Sequence, residues 1–478
     1  MALAGGETEQ WSSRTGFLFA AIGFSVGLGN IWRFPYVMGE YGGSAFLFLY
    51  LGFALAIGVP LLISELAIGR YGRGSPTGSI RAVAVSYGGS AAWGHVGTLA
   101  ILCVFIVLSY YTVLSGWTFD YLVRAIAGSF DGITRTESSN MFGLLMLNPG
   151  RLLFWNTVVH LVIFLVVRRG VQGGIEKSVK LLIPILFVAL IVMVIYGAIA
   201  GDMAAAAAFM LQPDFSKITF QTAMVALGQA FFSIGIGMGA LITFGSYLPR
   251  TTSIPGSAFT IVLADTGVAM LAGFAIFPLV FAFGLEPSSG SGLIFKTLPI
   301  AFGQMPGGQV FGAIFFMLLI AAALSSCIGC CEAVVSWVDE HWGVSRQRGT
   351  LYTVGAAWLV GILSVMSLGE WASYYPLDFI PAFAGKTIFD ALDFLAANIL
   401  LLVGAMLTSI FFGWLVPKAL KVKETELGDG VAYTFWLILV RFLVPPILFV
   451  SLVLGITGCR QGLRRGSRGA PGGGRGGG

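Results

Sequence analysis

The sequence predicts an all-α polytopic membrane protein of about eleven transmembrane helices, a five-plus-five inverted repeat with unwound first and sixth helices. Three observations carry that expectation. The 478-residue chain is 57% hydrophobic and 10% charged, with a mean hydropathy of +0.89, whereas soluble domains carry about 25% charged residues. Long apolar runs recur, each near the roughly 20 residues that cross a hydrocarbon core. Two of these runs are broken by glycines at corresponding positions of the two halves, a pattern that points to an inverted-repeat transporter.

The spans read as 15–39, 44–69, 92–126, 152–168, 176–200, 217–246, 257–284, 308–340, 350–368, 385–416 and 431–457. They divide the chain into an N-terminal segment (1–14), a first repeat of helices 1–5 (15–200), a second repeat of helices 6–10 (217–416), helix 11 (431–457) and a Gly/Arg tail without fixed structure (458–478). Lys and Arg concentrate in alternate loops, as with Arg70, Arg73 and Arg81, then Arg168, Arg169, Lys177 and Lys180, then Lys418, Lys421 and Lys423. By the positive-inside rule the N-terminus is cytoplasmic. The odd span count then places the arginine-bearing tail outside, the one feature that argues against this orientation. No N-x-S/T sequon occurs and no outer loop is long, so a bacterial inner (cell) membrane is the expected home.

Catalysis is not expected. The cysteines (Cys103, Cys327, Cys330, Cys331 and Cys459) and the scattered His95, His160 and His341 offer neither a metal set nor a nucleophile–base pair. Small soft residues packing a helix interface account for the cysteine cluster. Nucleic acid is not an expected partner despite the RG-rich tail; a small solute and the lipid bilayer are.

The first broken helix reads "AAIGFSVGLGNIWRFPY" (20–36), and the second "GQAFFSIGIGMGALITFGSYL" (228–248). Each glycine costs about 1 kcal/mol against alanine in a helix, and an intramembrane arginine such as Arg33 costs a few kcal/mol more. Unwound backbone survives at membrane depth only where something other than lipid satisfies its N–H and C=O groups. Freed carbonyls suit a hard cation, and half-helix N-terminal ends suit a carboxylate. Glycines that merely let helices cross closely are the plainer alternative.

These residues, with "WSSRTGF", "GGSAFLFLYL", "GVPLLISELAIGRYG" and "FAFG", resemble the signatures of the neurotransmitter:sodium symporter family, especially its bacterial eleven-span amino-acid branch. The likeness runs from about Trp11 to residue 457. It implies a first sodium on Ser25, Asn30, Ser233 and Asp265 together with the substrate carboxylate. A second sodium would sit on Gly23, Val26, Ala322, Ser325 and Ser326. The substrate site would comprise Phe24, Gly27, Leu28, Gly29, Val107, Tyr111, Phe232, Gly235, Met238, Ser326 and Cys330, with Phe232 as lid. Arg33 and Asp393 would form the outer gate, and Trp11 would belong to the inner one. Without the resemblance, Ser325–Ser326 and Tyr110–Tyr111 read as helix-packing pairs.

The resemblance implies a sodium-coupled symporter of neutral hydrophobic L-amino acids, aromatic ones included, working by alternating access. Glycine at position 27, where monoamine-carrying relatives have aspartate, implies an amino acid. Small or pliable residues at Gly235, Met238 and Cys330 imply room for a bulky side chain. Two sodium ions are expected and no chloride, because Asp265 already supplies a negative charge and Ala269 lacks a chloride-binding hydroxyl. A proton-coupled transporter with Asp265 titrating, or a non-transporting membrane sensor of the same fold, are the alternatives. The chain departs from the family pattern at Thr8, where a basic inner-gate residue is usual; its acidic partner would be Asp339 or Glu340.

Overall fold

The computed structural model describes residues 9–287 and 292–466, with backbone alone over 458–466. Among the described residues every regular element is helical. Nine helices among the described residues are long and apolar enough to cross a membrane: Ser44–Gly72, Ala91–Ile126, Pro149–Val167, Val171–Ala200, Ile254–Ala282, Gly308–Trp342, Arg346–Leu368, Ile388–Leu415 and Val431–Thr457. A further crossing is a bent pair, Arg14–Ser25 and Gly29–Glu40, whose axes meet at 48°. The shorter apolar helix Phe220–Ile234 and the helix Ala240–Ser246 stand where the sixth expected span lies. Numbered in chain order these are spans 1 to 11, and spans 1 and 6 are the interrupted ones.

Local chemistry starts these helices where the polar side chains stand. Ser13 caps span 1 by accepting from the Gly16 N–H, and Thr219 caps span 6 by accepting from Thr222. Asn148 caps span 4 ahead of Pro149, which suits a first helical position because its missing N–H is not needed there. Thr387 and Asp390 form a reciprocal capping box at the start of span 10.

Burial separates centre from periphery. The most apolar stretch of span 8 is 89% buried inside the protein and that of span 3 is 78% buried, against 17% for span 11. Spans 3 and 8 therefore stand in the middle, beside the two broken helices, and span 11 turns most of its surface outward. Short helices at Pro76–Ser86, Arg135–Met146 and Met203–Leu211 join the spans. Helix 11 continues in the backbone to Gly466, past the expected limit at 457 and into the Gly/Arg segment. The rest of the tail, and Thr8, lie outside the described residues.

Candidate substrate and ion site at the two helix breaks

The helix of span 1 stops at Ser25, and Val26 leaves helical geometry (φ −75°, ψ 95°) before the chain re-enters a helix at Gly29. In span 6 the helix ends at Ile234, and Gly237 takes φ +85°, the left-handed region that favours glycine. A Cβ at Gly237 would also stand 2.5 Å from the Leu401 carbonyl oxygen. Buried side chains hold the freed backbone. Gln229 donates from Nε2 to the Gly29 carbonyl at 2.8 Å, and Glu65 accepts from the Gly237 N–H at 2.7 Å.

The breaks meet around one small cavity, with about 30 Å³ open to the centre of a water molecule. Phe24, Gly27, Gly29, Val107, Tyr111, Phe232, Gly235, Met238, Ser326 and Cys330 line it, together with Ser25 and Ser233. Leu28 of the expected set is not in that wall; its N–H donates to the Tyr111 hydroxyl at 2.6 Å. A Cβ at Gly27 would lie 2.5 Å from the Tyr111 hydroxyl and 2.6 Å from Ser326 Oγ, so only glycine allows this approach.

The room inferred for a bulky side chain at Gly235 is taken. The Phe24 ring lies 2.4 Å from where a Gly235 Cβ would stand and 2.7 Å from where a Gly329 Cβ would stand, so the ring fills the space both glycines leave.

The residues expected around a first ion form one buried network. Asn30 Nδ2 donates to Ser233 Oγ and Asp265 Oδ1, both at 2.8 Å, and to the Asp265 carbonyl at 3.0 Å. Asn30 Oδ1 accepts from the Gly27 N–H at 3.1 Å. Ser233 Oγ and the Tyr50 hydroxyl both donate to Asp265 Oδ2, at 2.8 and 3.1 Å. Ser25 Oγ donates to the Ile234 carbonyl at 2.9 Å, joining the two breaks.

At the second expected site, Ser326 Oγ lies 3.3 Å from the Gly23 carbonyl oxygen and 2.9 Å from that of Phe24. Ser325 Oγ lies 3.0 Å from the Ala322 carbonyl oxygen. Apart from the Asn30 amide nitrogen, which faces Ser233 and Asp265, the polar groups at both places are neutral or anionic oxygen, which fits a hard monovalent cation. Among the described residues no group of three or more His, Cys, Asp or Glu could hold a metal ion.

Above Phe232 opens a vestibule whose walls include Arg33, Tyr36, Tyr110, Asp390 and Asp393. Phe232 and Tyr111 belong to both spaces and partition them. Arg33 and Asp393 share this vestibule, yet none of the ion pairs among the described residues joins them. The Arg33 guanidinium instead stacks 4.7 Å from the centre of the Phe232 ring, whose π face attracts a cation.

The model of the sodium:neurotransmitter symporter family matches residues 8–140 and 145–462. The chain belongs to that family. This sodium-dependent symporter is 36% identical over 452 residues to an uncharacterized sodium-dependent transporter of Bacillus subtilis, YhdH, covering 93% of this chain and 97% of that protein. It is 34% identical over 454 residues to a similarly named Haemophilus influenzae protein, covering 94% and 98% of the two chains. Its fold matches the crystal structure of MhsT in complex with L-phenylalanine, with a TM-score of 0.86, 37% identity, and coverage of 94% and 99%.

Opposite the vestibule, contacts at each residue from Glu9 to Ser12 tie down the symporter's N-terminal segment, the Gln10 carbonyl accepting from Gln172 at 2.8 Å. Trp11 donates from its indole to the Phe244 carbonyl at 3.0 Å, and its backbone N–H reaches the Tyr247 carbonyl at 3.2 Å. Ser12 donates its backbone N–H to Glu176 at 3.0 Å. Glu9 accepts from Arg346 at 3.0 Å, and Arg346 also pairs with the fully buried Glu332, which accepts from the Tyr247 hydroxyl at 2.7 Å. Neither expected acid holds this segment. Glu340 accepts from the Ser75 N–H at 2.6 Å, and Asp339 packs against Gly349. Gln229, Tyr50 and Arg346 were not singled out from sequence. An intramembrane glutamine two residues before the Phe231–Phe232 pair was the one available signal.

Proposed function

We propose that this sodium-dependent symporter carries neutral hydrophobic L-amino acids, moving them with two sodium ions and without chloride by alternating access. One observation carries the reading: the Tyr111 hydroxyl, which accepts from the Leu28 N–H, and the Gly27 backbone form a polar part of a cavity that Phe24, Val107, Phe232 and Met238 line with apolar side chains. A carboxylate fits that polar part, where the N-terminus of a half-helix adds favourable charge. The likeness to MhsT, crystallised with L-phenylalanine, supports the same class. Asn30, Ser233 and Asp265 would hold the first sodium beside that carboxylate, and Ser325 and Ser326 with the span 1 carbonyls the second. The chain divides, on this reading, into repeats at 15–200 and 217–416. It sits in a bacterial inner membrane with its N-terminus inside.

Phe24 refines the substrate side. With its ring against Gly235 and Gly329, the cavity suits a medium aliphatic side chain, and tryptophan requires the ring to turn aside. Phe24→Ala should therefore improve tryptophan relative to leucine in competition binding by about tenfold or more, the discrimination a few methylenes supply in an apolar pocket. An unchanged ratio would remove Phe24 as the size-setting wall.

The test of the whole reading is uptake of radiolabelled leucine into proteoliposomes, with and without an inward sodium gradient. Accumulation that needs the sodium gradient supports it. Accumulation driven equally by a proton gradient alone, or binding without uptake, would replace it with a proton-coupled carrier or a sensor.

A further inference from the structure

The segment between spans 9 and 10 exposes large aromatic side chains that no packing within the chain explains: Trp371 is 39% exposed, Tyr374 57%, Tyr375 42% and Phe379 79%. The segment is nonetheless built. Leu377 and Ile380 pack against a small separate core of Ala382, Phe383, Ala391 and Phe394. Asp378 accepts from the Gly385 N–H at 2.8 Å, and the Trp371 N–H donates to the Met366 carbonyl at 2.9 Å, fixing the segment to the end of span 9.

Its location selects a partner. Span 9 begins beside Glu9 at Arg346, so its far end lies at the opposite membrane face from the N-terminal segment. Along span 9, Tyr352, Leu359 and Leu363 are exposed at spacings that share one helix face, and the chain runs from the end of that span into the aromatic cluster. Tyrosine and tryptophan favour that level, where the ring body is apolar and the polar edge stays wet.

We propose that residues 371–379 form an aromatic anchor seated in the headgroup region of the leaflet opposite the N-terminal segment. The partner is the phospholipid interface itself. The segment carries Glu370, Asp378 and Lys386 and no basic cluster, so burial of ring surface rather than attraction to anionic lipid drives the seating. The anchor leads into the start of span 10, where the Phe389 N–H donates to Ser367 Oγ at 3.0 Å and Phe389, Asp390 and Asp393 line the vestibule. Seating the segment in the interface thus steadies one wall of the outer opening.

The test replaces Phe379 in the full chain with an environment-sensitive fluorescent amino acid and reconstitutes the protein in proteoliposomes. A matching probe at the exposed loop residue Asp131 serves as reference. Headgroup-level nitroxide lipids should quench the Phe379 probe several-fold more than the reference, and aqueous iodide several-fold less, equally in neutral and anionic vesicles. Iodide quenching equal to that at Asp131 overturns the proposal. So does protection that rises with protein density, which marks a second copy as the partner, or protection found only with anionic lipid.

Discussion

Ser326 places its hydroxyl against the unwound end of the first helix half, 3.3 Å from the Gly23 carbonyl, while the neighbouring Ser325 hydroxyl donates to the Ala322 carbonyl of its own helix. Removing one such oxygen takes away a contact to a charged group, worth roughly 1.5–3 kcal/mol. Ser325→Ala should weaken sodium-dependent substrate binding by about tenfold or more while the protein stays folded. Equal sodium dependence in mutant and wild type would rule out the second ion at this place. On the proposed reading, Asp265 makes chloride unnecessary. Its carboxylate is surrounded by Asn30, Ser233 and Tyr50, and a bound chloride there would face a like charge. At a few ångströms that repulsion is about 4 kcal/mol even at an effective dielectric near 20. Wild-type uptake should survive exchange of chloride for gluconate, and Asp265→Asn with Ala269→Ser should create a chloride requirement. Loss of wild-type uptake in gluconate would refute the argument. Asn30 and Ser233 stand out in the sequence as polar residues beside a helix break, whereas Asp265 lies inside the unbroken span 7 and was implied only by the family resemblance. Tyr50 does not stand out, because a tyrosine in an apolar run looks the same whether or not its hydroxyl reaches a carboxylate.

Among elements, the N-terminal segment and the start of span 9 meet in one ion-paired cluster, which on the proposed reading is the inner closure. Arg346 holds Glu9 on one side and the buried Glu332 on the other, with Tyr247 completing the cluster. A basic residue before Trp11 is thus not needed to pin the segment, since here the acid stands on the segment and the base on the opposing helix. Removing one partner of a buried pair costs about 3–5 kcal/mol, because the other charge is left uncompensated. Arg346→Gln should therefore free the segment and open the cavity from that side. Cys330 in the cavity wall reports it. In inside-out vesicles an impermeant thiol reagent should modify Cys330 at least tenfold faster in the variant, with Cys330→Ala as the control for background labelling. An unchanged rate, with substrate binding intact, would mean that Trp11 and Ser12 alone keep the closure.

For the molecule as a whole, the two proposed ion sites and the cavity share the broken span 1, so their occupancies should be coupled. Linkage requires the coupling to be reciprocal. Sodium should raise the affinity for leucine by some factor, and saturating leucine should raise the affinity for sodium by that same factor, each measured by equilibrium titration. A factor of one would separate the sites and end the shared-backbone account. The membrane class, the spans and both broken helices follow from sequence alone, because hydropathy and glycine act within one segment. Ten of the eleven residues expected at the substrate site line one cavity; Phe24, Gly27, Gly29, Phe232, Gly235 and Met238 flank the breaks, whereas Val107, Tyr111, Ser326 and Cys330 stand on the unbroken spans 3 and 8 and were implied only by the family resemblance. Only the tertiary structure decided how the cavity is filled and closed. Phe24 occupies the space left by Gly235 and Gly329, Arg33 stacks on Phe232 without pairing with Asp393, and Arg346 takes the inner acids. Each outcome is a competition for volume or for a charge among side chains on different helices, and it is settled by packing distances that no local pattern encodes.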